Sequence, residues 1–447
     1  MLGEKQFRKL ADYVLSKSTA DQTEVLLQAG DSALTRFANS YIHQNVAESD
    51  AAVRLRVAIG RRTGVATTND LSDTGLERAL ETAMLVARLQ PENPNLPPMP
   101  APQPVPLATA FAEATANASP DLRARAAGVF CTLAREKGLT AAGAFRTALW
   151  EMGVANSLGH FVHSMGTVAD VNSVIMSDDS SGYCEAAAVD VRRLDPEALA
   201  AEAVDKALRS RNPRPLPAGE YPVVLEHYAT ADIVSIMGYL AFSALAVQEG
   251  RSFMAGKFGQ PIMSTQISIW DDGLDPSGLP LPFDFEGAPK KRVDLIKAGV
   301  AVGVVHDSAT ALKDGVASTG HSLPMPNPQG PFPLNLFMAA GSDSLDDLIR
   351  GLDRGLLVTR FHYTVPVHPA KAVVTGMTRD GTFWVEKGEI AYPVKNLRFT
   401  ESYLDAFNRV EAIGKEAHLL LSRFEIGGVR TPAVRLAGFR FTGATEF

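Results

Sequence analysis

Apolar residues recur at helical spacing over 1–18, with Phe7, Leu10, Ala11, Val14 and Leu15 on one face, which predicts an amphipathic first helix. At 53–59 the period changes to two. Val53, Leu55, Val57 and Ile59 alternate with Arg54 and Arg56, the mark of a half-buried strand, and Gly60-Arg-Arg-Thr-Gly64 turns it into an antiparallel neighbour. The helical period returns over 73–89 through Leu76, Leu80, Ala83, Met84 and Ala87, then stops in eight prolines between 91 and 106. Such a run lacks N–H donors and favours extended geometry, so 91–106 reads as a stiff surface connection; a ligand for proline-binding domains is the other reading of that composition. A helix over 120–137 carries Leu122, Ala126, Val129, Phe130 and Leu133 on one side and meets Gly138, a left-handed stop. Strands follow over 139–152 and 160–176. Asp195-Pro196 then opens a helix over 197–209, the Asp capping free N–H groups.

The proline-rich break at 212–217 divides the pattern, and we place a domain boundary there: an N-terminal α+β domain with an antiparallel sheet over 1–215, and a β-rich, barrel-like domain over 216–447. The second begins with a buried strand at 221–226 and a uniformly apolar helix at 230–247. A strand end feeding a helix N-terminus is a common seat for a catalytic group, yet the positions available hold Asp232, Ile233, Val234, Ser235, Ile236, Met237 and Gly238. Further along, 275–289 reads as loop and 293–305 as a hairpin about Lys297-Ala298-Gly299. Ser344-x-x-Asp347 starts a short helix running toward Gly355. Strands are expected at 372–378, 382–386 and 390–395, then a helix at 402–413 and a strand at 434–441. The fold class is α+β in two domains.

At 447 residues and 46% hydrophobic, the chain can bury a large core. Its net charge of −7 is dispersed, with no basic stripe for nucleic acid, and no apolar run is long enough for a membrane span. Two cysteines, Cys131 and Cys184, are too few for a disulfide scaffold, so a reducing, cytoplasmic setting is expected. Cys184 could act as a nucleophile only with a base beside it; a small strand residue is the simpler reading.

No HExxH or HExxxH occurs, so no zinc-hydrolase helix is present in the sequence. His160 and His163 lie three apart on a strand and would face opposite ways. His362 and His368, near Pro366 and Pro369, are expected in loop. No Gly-x-Ser-x-Gly is present: Ser164, Ser318 and Ser322 each lack one of its glycines. The stretch 250–257 lacks the Ser or Thr of a phosphate loop, Phe258 standing in its place. Asp271, Asp272, Asp275, Asp284 and Glu286 gather in the second domain, where carboxylates could do acid–base work; solvated turn formers are the simpler reading.

Together, Val154-Ala-Asn-Ser-x-Gly159, Leu216-x-x-Gly-x-Tyr-x-Val-Val-Leu225, Arg251-Ser-Phe-x-x-Gly-Lys-x-Gly259, Asp271-Asp-Gly273, Pro282-Phe-Asp-x-Glu-Gly287, Ser318-Thr-Gly320, the glycines Gly351 and Gly355, Lys387-Gly-Glu-Ile390 and Pro393-Val394 resemble the TldD/PmbA family. It was once described as modulators of DNA gyrase and is better understood as peptidases acting in pairs. The resemblance implies that zinc-bearing TldD-like members carry HExxxH after the strand matching 221–225, with a late cysteine. This chain has neither, so it resembles the PmbA/TldE branch: no catalytic or metal residue carries over, and zinc is expected in a partner subunit. Expected partners are a TldD-like subunit or a second copy of this chain, and an unfolded peptide. On family position, Asp284, Glu286, Ser318, Thr319 and Gly320 are candidates for the peptide's path or the interface. The alternatives are a homodimeric peptide-binding scaffold without activity and a peptidase with an unrecognised site.

Overall fold

The structure, a computed structural model, describes residues 1–422 and 427–444. Six strands, β1 (Gln22–Ala38), β2 (Tyr41–Ile59), β3 (Arg62–Thr68), β4 (Thr140–Asn156), β5 (Phe161–Met176) and β6 (Ser181–Ala188), form a wholly antiparallel sheet in the order β3-β2-β1-β4-β5-β6. One face is covered by helices. α1 (Glu4–Lys17) and α2 (Asp73–Leu89) bury Phe7, Val14, Leu80 and Ala83 against Val25, Leu27, Val53, Leu55 and Val57. The four-residue α3 (Glu113–Ala116) precedes α4 (Pro120–Glu136) and α5 (Pro196–Arg209), which enclose Phe37, Phe145, Val171 and Cys184. Helix starts follow the expected chemistry: Ser72, Ser119 and Asp195 accept the N–H groups of Gly75, Leu122 and Ala198.

The other face meets the second half of the chain, where Leu26, Met152, Val154 and Val162 close on Phe283. This two-sided burial explains why β1 is hard to see in the sequence. Residues 23–27 are all buried, so the inside-outside alternation that reveals a strand is lost.

The second sheet has eleven strands: β7 (Gly219–Leu225), β8 (Ile269–Asp271), β9 (Val293–Lys297), β10 (Val300–Ala301), β11 (Asn335–Met338), β12 (Arg354–His368), β13 (Val373–Glu386), β14 (Glu389–Pro393), β15 (Leu397–Ser402), β16 (Val410–Leu421) and β17 (Gly428–Ala444). The pairings β7–β12, β12–β13, β13–β15, β15–β17 and β17–β7 close a circuit. Helix α6 (His227–Ala241) packs on β12 and β17, and its Ile233, Val234, Met237 and Ala241 are completely buried. The short helices α7 (Ala244–Gln248), α8 (Ser308–Asp314), α9 (Leu345–Arg350) and α10 (Tyr403–Asn408) complete the second half. Among the described residues, no helix is long and apolar enough to cross a membrane.

Several expectations change. The apolar helix expected at 230–247 starts earlier and breaks after Ala241 into α6 and α7. The helix expected at 402–413 is the six-residue α10, followed at once by β16. Asp380-Gly381 is no turn between two strands: β13 runs straight through, with Asp380 at φ 56° and Gly381 at φ 126° forming an irregularity in its pairing with β12. The helix begun by Ser344 ends at Gly351, and Gly355 lies in β12, where a Cβ would meet Pro222 O at 2.4 Å. His362 and His368 also belong to β12, not to a loop.

Candidate functional site

The end of β7 and the start of α6 form a packed polar junction. Glu226, at the N-cap of α6, is buried; its carboxylate accepts from Lys206 Nζ at 2.6 Å and Thr359 Oγ1 at 3.0 Å. Lys206, from α5, also donates to Glu202 at 2.6 Å, which accepts a hydrogen bond from Tyr228. Burial alone would lower the Lys206 ammonium, but Glu226 and Glu202 outweigh it and hold it above its ordinary value. Cys184 stands nearby, and burial pushes its thiol well above the usual thiol range, so it is no nucleophile at neutral pH.

In front of this junction lies a cavity of about 630 Å³ between the two sheets. Its walls include Glu185 to Ala188 of β6 and Ala417 to Leu419 of β16. Among the described residues each of these strands pairs with one neighbour, β5 and β17 respectively, and their unpaired edges approach each other beside the cavity. The floor brings together two histidines far apart in sequence. His227 and His418 stack with ring centroids 4.1 Å apart and planes at 24°. Burial, then the neighbouring ring and Lys206, hold His227 well below the usual imidazole range; burial likewise lowers His418. Both are neutral at pH 7. Stacked faces cannot both point a nitrogen lone pair at one ion. Among the described residues, no group of three or more His, Cys, Asp or Glu side chains is placed to hold a metal.

The five loop residues singled out in the sequence come together, yet none lines this cavity or the smaller one beside it. Asp284 is fully buried and accepts the N–H groups of Glu286, Ala288 and Ser322 at 2.8–3.0 Å. Glu286 accepts from Arg56 at 3.0 Å and from the Ser308 N–H at 3.2 Å. Ser318 accepts from Gly320 N–H, and Thr319 accepts from His306 N–H and contacts His321 Nδ1 at 2.9 Å. At Gly320, φ is +75° and a Cβ would lie 2.3 Å from Pro289 O. His321 Nε2 reaches Asp271 at 2.7 Å. Asp271, Asp284 and Glu286 are therefore not solvated turn formers. They are buried because backbone donors and the cations Arg56 and Lys290 supply what water would. The network knits loops 282–291 and 306–322 into a frame that holds Leu281 and Phe285 against the first sheet.

The frame makes stability depend on pH. Burial, reinforced by Lys290, pushes His321 down to about 4 despite Asp271. A histidine whose folded pKa lies below its unfolded value of about 6.5 contributes fully above that pH and loses its contribution as pH falls toward the folded value. His321 is therefore expected to lose roughly 3 kcal/mol at most of stability between pH 6.5 and 4, set against a gain over the same range from Asp284, whose carboxyl burial and Glu286 push up to about 7. His321→Gln should lower stability at pH 7 and flatten that acid slope, as read by calorimetry across the range.

Elsewhere, His160 Nε2 bonds Gly287 O at 2.8 Å and His163 Nε2 bonds Glu151 at 2.9 Å, so the two face different surroundings. His418 and Glu202 had no sequence signal, since the cleft brings them together with residues distant in the chain.

Fold and site together define a two-sheet α+β protein with a cleft between its halves, edged by strands and floored by neutral histidines. The profile described as PmbA/TldA metallopeptidase C-terminal domain matches residues 218–443, and that of domain 1 matches 23–87. The chain belongs to the PmbA/TldD family of metallopeptidase-related proteins. It is 25% identical over 439 residues to Metalloprotease PmbA of Escherichia coli O157:H7, covering 94% of this chain and 93% of that protein. A Metalloprotease TldD homolog of Haemophilus influenzae is 28% identical over 256 residues, covering 53% and 51%. Among solved structures, TldE from Thermococcus kodakarensis superposes with a TM-score of 0.89 at 23% identity, covering 98% of this chain and all of that one. A Thermotoga maritima protein described as a modulator of a DNA gyrase gives 0.88 at 21%, with coverage of 98% and 100%.

Proposed function

We propose that this chain is the non-catalytic, PmbA/TldE-like subunit of a two-subunit TldD-type zinc peptidase, holding unfolded peptide while the partner's zinc cuts it. The observation that carries this reading is the cleft edged by β6 and β16. An extended segment laid there can exchange main-chain hydrogen bonds with a strand edge, which recognises backbone rather than sequence. The division of labour is supported by α6. Its residues 232–238 are committed to packing, with Ile233, Val234, Ile236 and Met237 in the core and Asp232 held by Thr364 Oγ1 at 2.6 Å. Peptide hydrolysis needs an activated water and a stabilised oxyanion, and in this reading both come from the partner's zinc. A cytoplasmic setting belongs to the same reading, in keeping with two free, buried cysteines.

An inactive homodimeric peptide binder would use the same cleft. Either assembly can bury the apolar stripe of Tyr363, Val365 and Val367, which are 74%, 43% and 58% exposed along β12. Co-expression with a TldD-like protein, followed by light scattering, separates the two: the expected product is a 1:1 heterodimer formed in preference to the homodimer. A monomer that ignores the TldD-like protein counts against the subunit reading.

A further inference from the structure

From 101 to 112 the chain is neither helix nor strand, and it lies along an open strand edge. β5 pairs with β4 over its whole length, whereas β6 covers residues 169–176 alone, which leaves 161–168 without a strand on that side. We propose that the strap 101–112 is a displaceable cover, and that the edge beneath it, 161–167 of β5, is where an extended, proline-free peptide docks. The proposal rests on reading this chain as a peptide-holding subunit and adds where the peptide lies and what guards the place.

The strap follows β5 residue for residue. Pro102 lies beside Gly159, where a Cβ would be 3.9 Å from its ring. Val105 packs against the apolar cluster that holds Val162, and Ala110 O accepts from Thr167 N–H at 2.8 Å. This edge therefore already carries an extended segment, one supplied by the chain itself. The pairing of β4 with β5 has no register shift, so the main-chain groups of His163 and Met165 point the same way as those of Thr167. Their N–H groups meet no acceptor in the strap.

Loops often cover strand edges to protect them, but this one is poorly made for that task alone. Pro100, Pro102, Pro104 and Pro106 have no N–H to donate, so the strap cannot form a ladder with β5. Its start is tied by Met99 N–H to Gln22 at 2.8 Å and by Asn156 Nδ2 to Pro100 O at 2.7 Å. Beyond that, it is held by Val105, by the Ala110 bond and by Ala112 N–H to Thr167 Oγ1 at 2.9 Å. Leu107 is 101% and Phe111 44% exposed, so two large apolar side chains gain nothing from the closed position. A segment with so few buried contacts and backbone bonds opens at low cost. A peptide with an N–H at every residue can make the strand-edge bonds that the strap cannot.

The strap also divides the cleft. Ala110 borders the smaller cavity, of about 360 Å³, while Thr109, Phe111 and Ala112 border the main one. Moving it outward joins the two along β5, in line with the edge that β6 already occupies.

The test is calorimetric titration of the purified chain with an acetylated, amidated nonapeptide of Ser, Thr and Val, and with the same peptide carrying proline at every second position. The proline-free peptide should bind about tenfold or more tighter, the result of strand-edge bonds the other cannot make. Val105→Asp, which breaks the strap's apolar anchor, should tighten binding of the proline-free peptide by about three- to tenfold, because less of the chain is held closed. A merely structural disturbance would weaken binding instead. Hydrogen exchange of the His163 and Met165 amides should slow when that peptide is added to the unmodified chain. Equal affinity for the two peptides, a comparison that needs no variant to fold, would overturn the proposal, as would unchanged or weaker binding by a Val105→Asp chain with native circular dichroism. Peptide binding that slows exchange at other strands and leaves His163 and Met165 untouched would sink the strap alone. Binding of neither peptide, by the unmodified chain or by folded Val105→Asp, would sink the peptide-holding reading itself.

Discussion

Replacing Arg56 with alanine is expected to destabilise the protein by about 3–5 kcal/mol, the usual cost of removing one member of a buried ion pair. Arg56 sits on β2 at 6% exposure, and its guanidinium joins Glu24 of β1 at 2.5 Å to Glu286 of the second half at 3.0 Å. Burial raises the Glu24 carboxyl, against the pull of Arg56. Without the cation, two carboxylates would face each other in a water-poor junction, and one must take up a proton or the halves must part. Arg56→Met combined with Glu24→Gln and Glu286→Gln should recover much of the loss, since it removes the charges along with the pair. Urea unfolding followed by circular dichroism measures both. A loss below about 0.5 kcal/mol for Arg56→Ala, the size of an ordinary surface change, would show that the junction does not hold the halves together.

The second large effect concerns metal. Chelation should abolish peptide cleavage by the assembled pair while leaving this chain's own fold and peptide binding unchanged. In the proposed division, the partner's zinc would supply water activation and carbonyl polarisation, while this chain's residues hold the peptide. The isolated chain should accordingly contain well under one equivalent of zinc by elemental analysis. A full equivalent, lost on replacing His227 or His418, would place metal chemistry in this chain's own cleft.

Much of the first half of the chain was legible because its strongest signals are local. The α2 and α4 ranges, the stop at Gly138 and the helix start at Asp195-Pro196 follow from periodicity and capping chemistry that neighbouring residues set by themselves. What stayed hidden depends on distant contacts. β1 is buried on both faces, and β12 carries Tyr363 at φ 54° and Pro366, which read as loop residues until β13 pairs alongside. The acids of the second half of the chain look like turn formers in the sequence because their partners, Arg56 above all, lie far away in it. The cleft was the least legible part: its two histidines are assembled by topology, and no spacing in the chain announces them.

The most direct test of the central claim is cleavage of an unfolded fluorogenic peptide by four samples: this chain alone, a TldD-like subunit alone, the two assembled, and the assembly with the Glu of the partner's HExxxH changed to Gln. The account predicts cleavage by the assembled pair, none by this chain alone, and none once that Glu is changed. Metal-independent cleavage by this chain alone, persisting after contaminating proteases are removed, would contradict it.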